Sequence, residues 1–171
     1  MSKAFTKDDD AAPPPLVPRR APLPAGQPNY VTLRGLSALR AELVALRAEH
    51  GAQGARGEGP LDTALLERLA ELEERLATAE LVTPPTPAPP EARFGATVTV
   101  LTEAGAERTY SIVGVDEADA GAGRIAFVAP LSRALLGKRA GDTATVRTPH
   151  GSDELEVLRV SYEQADSSTD A

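Results

Sequence analysis

Leucine recurs at helical spacing in two stretches between residues 32 and 82, and a glycine-rich segment separates them. The first stripe consists of Leu36, Leu39, Leu43 and Leu46, and the second of Leu65, Leu69, Leu72, Leu76 and Ala79. Apolar residues spaced alternately by three and four positions predict two helices that pack as a coiled coil. Four glycines and a proline at 51–60 predict the end of the first helix and a turn. Helices joined by so short a loop pack antiparallel, and Thr32 and Asp62 are placed to cap them.

Residues 93–162 alternate between apolar and polar positions with a period of two, which is typical of strands in a half-buried sheet. The alternation and the turn residues predict five strands, at 97–101, 108–115, 124–128, 143–147 and 154–162. Pro130 favours a short helix over 130–136, because proline fits the first helical position. Short turns between the strands predict an antiparallel sheet covered by one helix, which is a small α+β domain.

Proline marks the boundaries between these parts. Five prolines within residues 83–92 predict a semi-rigid linker between the helical hairpin at 30–82 and the β domain at 93–162. Seven prolines and three consecutive aspartates within residues 1–29 predict a disordered N-terminal extension. The polar residues 163–171 predict a disordered tail. Since the linker offers few core contacts, we expect the hairpin and the β domain to move relative to each other.

The charge distribution speaks against a nucleic-acid surface. The net charge is −7, and counting along the chain gives +1 for residues 1–29, −3 for residues 30–82 and −5 for residues 83–171. Proteins that neutralise phosphates cluster Lys and Arg on one face, so we expect no direct sequence-specific contact with nucleic acid. An acidic protein with dispersed arginines more often docks on the basic surface of another protein.

No catalytic or metal-binding set is evident in the sequence. Cysteine is absent, and neither His50 nor His150 has a companion at metal-ligand spacing. Phosphate-binding loops and hydrolase motifs are missing too, so we expect no enzyme, no cofactor and no metal. No apolar run approaches the roughly 20 residues that cross a bilayer, and the N-terminus lacks the apolar stretch of a signal peptide. We therefore expect a cytoplasmic protein without membrane contact.

The most specific segment of the chain lies near residue 130. Residues 129–142 read APLSRALLGKRAGD, and VRTPHG follows at 146–151. This resembles the signature of the GreA/GreB C-terminal domain, in which a Ser-Pro-x-x-x-Ala-Leu-Leu-Gly-Lys run precedes Gly-Asp, a strand and Thr-Pro-x-Gly. The similarity extends to FGATV at 94–98, YSIVG at 110–114 and VSY at 160–162. With its N-terminal KAFTK and NYVT runs, the chain is identified as a divergent GreB-like member of this family of transcription elongation factors, with a shortened coiled coil.

The resemblance implies an FKBP-like C-terminal domain and bacterial RNA polymerase as the partner. In the family, this domain docks at the rim of the polymerase secondary channel. The docking residues expected here are Pro130, Leu131, Arg133 and Lys138. Leu135 and Leu136 are expected instead to cover the sheet. The family's hairpin enters the channel, where acidic residues at its tip help to hold a metal ion at the polymerase active site and so stimulate cleavage of backtracked RNA.

The sequence departs from the family at the hairpin tip. The acidic run of the family's tip is missing, and Glu58 and Asp62 are the candidate tip carboxylates that remain. The span from Val31 to Val82 holds about 17 residues fewer than a typical family hairpin, which shortens the arm by about 12 Å at 1.5 Å per residue. Metal ligands act at about 2–2.6 Å, so a tip displaced this far would miss the polymerase active site.

The sequence leaves two hypotheses open. The first is a regulator that occupies the secondary channel without stimulating transcript cleavage and competes with true cleavage factors. The second is a cleavage-stimulating factor that uses Glu58 or Asp62 after a shift in docking. A prolyl isomerase of the FKBP type is disfavoured, because aromatic residues are few. Proteins that resemble the regulator of nucleoside diphosphate kinase also have a short arm, but they lack the N-terminal runs found here.

Overall fold

The computed structural model describes residues 20–56, 63–149 and 151–163, which form a helical hairpin and a mostly antiparallel sheet that carries one short helix. The helices are α1 (Leu33–Arg56), α2 (Thr63–Ala77) and α3 (Pro130–Leu135). The strands are β1 (Asn29–Val31), β2 (Ala79–Leu81), β3 (Ala96–Thr102), β4 (Glu107–Val113), β5 (Arg124–Ala126), β6 (Thr143–Thr148) and β7 (Gly151–Tyr162). The predicted α+β class, with a hairpin before a β domain, is confirmed. No described helix has the length and apolar character needed to span a membrane.

The two leucine stripes form the seam of the hairpin, as predicted. The buried members of the seam are Leu39, Leu46, Leu65 and Leu72, with the other stripe residues packed against them. Thr32 caps α1, since its hydroxyl accepts a hydrogen bond from the Gly35 N–H at 3.0 Å. The predicted turn at 51–60 was placed too early, because α1 continues to Arg56. Each helical glycine costs only about 1 kcal/mol, and the residues around Gly51 and Gly54 include good helix formers.

A short parallel strand pair at the base of the hairpin was not predicted. β1 pairs with β2 in register from Asn29 opposite Ala79 to Val31 opposite Leu81. The Asn29 side-chain amide donates a hydrogen bond to the Arg75 carbonyl at 2.8 Å, near the end of α2. Ala79, expected as the last residue of the second helical stripe, lies in β2 but still packs against the hairpin core. The hairpin is thus closed at its base by backbone pairing.

The strand order of the β domain is β5-β4-β3-β7-β6. The prediction of a purely antiparallel sheet was wrong at one edge, where β5 runs parallel to β4. The chain between these strands contains two 3₁₀ turns, at Val115–Glu117 and Ala120–Ala122, which carry it back to Ser111 in the second half of β4. The core of the domain lies between the sheet and α3. Its fully buried residues are Ala92, Ala96, Val98, Val100, Ile112, Leu135, Ala144 and Val157.

The hairpin and the β domain contact each other directly. Tyr30 of β1 lies against Phe94 and Phe127 of the β domain, with ring centroids 5.7 and 5.5 Å away. The predicted linker also contributes to the β core, because Ala92 is fully buried and its N–H donates to the Lys138 carbonyl at 2.7 Å. These contacts favour a fixed angle between the two parts over the relative motion that the proline-rich linker predicted.

Candidate functional site

Helix α3 holds the predicted docking residues in a defined orientation. Pro130 is its first residue, a position where the missing N–H costs no hydrogen bond. The Ser132 hydroxyl donates a hydrogen bond to the Ala126 carbonyl at 2.7 Å, and Leu135 is fully buried beneath the helix. Because these two side chains anchor one side of α3, Pro130 and Arg133 are left exposed on the other.

A cavity of about 490 Å³ lies beside α3. Its apolar wall consists of Tyr110, Leu131, Val146 and Leu155. Three carboxylates also line it, Glu103, Asp153 and Glu154, and none of the described residues that line it is Lys or Arg. Glu103 is held in place because its Oε1 accepts a hydrogen bond from the Glu154 N–H at 3.2 Å. An apolar cavity with an acidic rim suits an apolar side chain that is flanked by positive charge.

Two cations in and just after α3 have no side-chain partner in the part of the chain that the structure describes. Arg133 is exposed and Lys138 is half-buried, and neither forms an ion pair or side-chain hydrogen bond with a described residue. The neighbouring Arg139 differs, because it faces Glu91 at 3.4 Å. Arg133 and Lys138 are therefore available to carboxylates of another molecule.

Leu136 departs from its expected role. The sequence predicted that Leu135 and Leu136 both cover the sheet, and Leu135 does so, but 36% of Leu136 is exposed. α3 ends at Leu135, and the chain then turns through Gly137 at a φ of +81°, so Leu136 stays at the surface. It adds an apolar group at the end of α3.

The candidate tip carboxylates, Glu58 and Asp62, lie outside the described residues. Within the described ranges, no cluster of three or more His, Cys, Asp or Glu side chains could hold a metal ion.

The acidic rim of the cavity was not predicted from the sequence. Glu103 follows β3, whereas Asp153 lies in β7, about fifty positions away in the sequence. They approach each other because β7 pairs with both β3 and β6, which places Leu155 opposite Thr102 and Asp153 opposite Val146. Alternation indicates which residues share a face of one strand, but it does not indicate which strands are neighbours.

Comparison with known proteins identifies the family. A family model described as "Transcription elongation factor, GreA/GreB, C-term" matches residues 87–162. Transcription elongation factor GreB of Neisseria meningitidis serogroup B (strain ATCC BAA-335 / MC58) is 34% identical over 161 residues, covering 81% of this chain and 96% of the relative. Both findings define the class as transcription elongation factors. The chain belongs to the GreA/GreB family, as its sequence motifs predicted.

Other relatives match a shorter part of the chain. Transcription elongation factor GreA of Acidiphilium cryptum (strain JF-5) is 45% identical over 96 residues, which is 56% of this chain and 61% of the relative. The chain thus spans about three fifths of the length of this GreA. Among solved structures, GreA/GreB from Nitrosomonas europaea is 26% identical, with a TM-score of 0.40 over 78% of this chain and 98% of that one. GreA factor homolog 1 (Gfh1) of Thermus thermophilus is 21% identical, with a TM-score of 0.37 over 79% and 99%.

Proposed function

We propose that this protein binds bacterial RNA polymerase at the rim of the secondary channel and regulates elongation without stimulating transcript cleavage. It acts through the polymerase rather than as a free-standing enzyme. The observation that carries the proposal is the α3 surface, where exposed Pro130 and Arg133 lie on either side of Leu131 in the sequence and Leu131 lines the cavity. This surface lies within the region that the GreA/GreB C-terminal model matches, which supports a family-type partner.

The chemistry of the surface fits a helical partner with mixed charge. An apolar side chain of the polymerase would enter the cavity beside Leu131 and Val146, and basic neighbours of that side chain would face Asp153 and Glu154. Arg133 and Lys138 would face carboxylates on the same partner. Opposite charges arranged in this way speed association and fix the docking register more than they add affinity.

The proposed absence of cleavage stimulation rests on the length of the arm. About 17 residues fewer between Val31 and Val82 correspond to about 12 Å of reach. The loss of reach follows from the number of residues in the arm, wherever α1 ends. The alignment with the Neisseria GreB supports a shortened chain, since it runs over 161 positions but takes in 81% of these 171 residues and therefore contains gaps. A carboxylate this far from a metal ion cannot act as a ligand.

Docking is tested by capturing purified polymerase with the full chain. We expect the double variant Pro130→Ala/Arg133→Ala to lose most of the binding and to keep its fold, because neither side chain belongs to the core. Arg159→Ala is the matched control, since Arg159 is an exposed arginine of β7 paired with Thr99 and lies outside the α3 surface. Undiminished binding by the double variant would remove α3 from the interface.

Cleavage is tested on a stalled, backtracked elongation complex. At saturating concentration we expect no shortening of the nascent RNA, and we expect inhibition of the cleavage that a genuine Gre factor stimulates. Inhibition needs occupancy alone, so it should disappear in Pro130→Ala/Arg133→Ala. If the RNA instead shortens faster, and Glu58→Ala or Asp62→Ala abolishes the effect, the protein is a cleavage-stimulating factor.

A further inference from the structure

Five charged side chains from four parts of the molecule form a continuous ion-pair network at the junction of the arm and the β domain. Arg20 contacts Glu42 of α1 and, at 3.1 Å, Asp116 of the β domain. Asp116 also faces Arg75 of α2 at 3.5 Å, and Glu42 faces Arg68 of α2 at 3.7 Å. Arg68 and Arg75 lie about two turns apart on α2, so both ends of the network are anchored on this helix.

The part of the ion-pair network that joins the β domain is buried. Only 3% of the Asp116 side chain, 9% of Arg75 and 18% of Arg20 are exposed. The Arg75 guanidinium also donates a hydrogen bond to the Ala21 carbonyl, which fastens the backbone of the extension to α2. Removing one partner from a buried charge pair is costly, whereas an exposed pair contributes little.

Arg20 contacts the arm at Glu42, farther from the base of the arm than the other contacts of the junction do. The pair of Arg75 with Asp116 also joins the arm to the β domain, near the end of α2. The capping of α1 at Thr32 and the contacts of Tyr30 with Phe94 and Phe127 all lie at the base of the arm. Glu42 lies ten residues beyond Thr32, or about 15 Å along α1. Because this contact lies far from the base, it opposes rotation of the arm about the base with a long lever arm. Contacts at the base resist the same rotation with a shorter lever arm.

We propose that Arg20 is a positioning residue that locks the angle between the arm and the β domain, with residues 20–28 acting as a strap across the junction. The strap connects Glu42, on the arm, to Asp116, on the domain. This role concerns the geometry of the free chain, so it holds or fails independently of the partner that the α3 surface binds.

The angle is measured in the full chain with spin labels. The protein contains no cysteine, so Val44→Cys on the arm and Thr145→Cys on β6 place two labels at exposed positions without competing sites. Pulsed electron double resonance then reports the distribution of the label distance. We expect Arg20→Met to widen this distribution roughly twofold, because the arm gains access to other angles.

Arg47→Met is the matched control. Arg47 pairs with Glu73 at 2.8 Å, joining α1 to α2, but 62% of Arg47 and 51% of Glu73 are exposed, and the β domain takes no part in the pair. The label-distance distribution of Arg47→Met should equal that of the parent protein. Arg20→Lys should give an intermediate width, because a single ammonium cannot reproduce the two-sided contact of a guanidinium.

Two measurements separate positioning from general loss of structure. Circular dichroism should show unchanged helix content in Arg20→Met, since Arg20 lies outside both apolar cores. The label-distance distribution of Arg20→Met/Asp116→Asn should be no wider than the wider of those of its two single variants. Both changes break the link between Arg20 and Asp116, and Asp116→Asn by itself already breaks the pair with Arg75. A folded Arg20→Met with the parent's width overturns the proposal. If Arg20→Met loses helix content, the proposal is tested with Arg20→Lys instead. A label-distance distribution of Arg20→Lys as narrow as that of the parent then overturns the proposal.

Discussion

The Glu117 carboxylate of the β domain accepts a hydrogen bond from the Thr32 backbone N–H at 2.9 Å, where α1 begins. It also contacts the Thr32 hydroxyl and accepts a hydrogen bond from the Gly114 N–H at 3.3 Å. A negative charge is favourable at this end of a helix, where backbone N–H groups lack partners. α1 therefore takes part of its N-terminal capping from the other half of the molecule.

Adding a methyl group at Gly35 should destabilise the protein. A Cβ at this position would lie 2.1 Å from the Glu117 Cδ, so Glu117 would have to leave its hydrogen bonds with Thr32 and Gly114. We expect Gly35→Ala to lower the free energy of unfolding by about 1–2 kcal/mol, measured by urea denaturation. Gly51→Ala, in the same helix with nothing within 4 Å, should raise it by up to about 1 kcal/mol. The same sign for both variants would show that Glu117 moves without cost.

Truncating the hairpin seam should cost more than truncating its surface. Leu72 is fully buried among the leucines of both helices, whereas 70% of Val44 is exposed. We expect Leu72→Ala to lower the free energy of unfolding by about 2–5 kcal/mol, through lost burial and a cavity. Val44→Ala should change it by no more than about 0.5 kcal/mol. Urea denaturation followed by circular dichroism at the helical band measures both, and similar costs would argue against a packed seam.

Tyr162 should make the protein lose stability in alkaline solution. Burial raises the pKa of its phenol above the ordinary value, and the hydroxyl donates a hydrogen bond to the Glu91 carbonyl at 2.6 Å. A proton held more tightly in the folded state stabilises it below the unfolded pKa of about 10, and this stability is lost as the pH rises through the folded pKa. Tyr162→Phe should therefore be less stable than the parent at pH 8 and show a flatter decline above pH 10. Urea midpoints across this range check the prediction, and parallel declines would contradict it.

The sequence predicted the parts of the fold that depend on local pattern. The leucine stripes specified the hairpin, because a seam such as Leu39 against Leu72 follows directly from helical spacing. Alternation located all five strands of the β domain to within a few residues, and Pro130 marked the start of α3. These features need no knowledge of distant neighbours.

What the sequence could not predict depends on contacts between distant segments. The pairing of β1 with β2, the parallel edge strand β5 and the link from Arg20 to Asp116 all join residues far apart in the chain. Proline content at 83–92 predicted a loose connection, but it contains no information about the contact between Glu117 and Thr32. The motif around α3 indicated Pro130 and Arg133, whereas the acidic rim of the cavity required the strand order.

The acidic rim should contribute to polymerase binding by its charge. Asp153 lines the cavity, whereas Glu156, three residues further along the same strand, does not. Both are exposed carboxylates, so Asp153→Lys and Glu156→Lys change the net charge equally and separate a local effect from a global one. If basic residues of the polymerase face the rim, Asp153→Lys should raise the Kd about tenfold at low salt, through like-charge repulsion at the interface.

The difference in Kd between Asp153→Lys and Glu156→Lys should shrink as ionic strength rises, because salt screens exposed charges. Titrating labelled protein with polymerase at two salt concentrations measures both effects. Equal Kd values for the two variants at low salt would place the basic partner surface elsewhere.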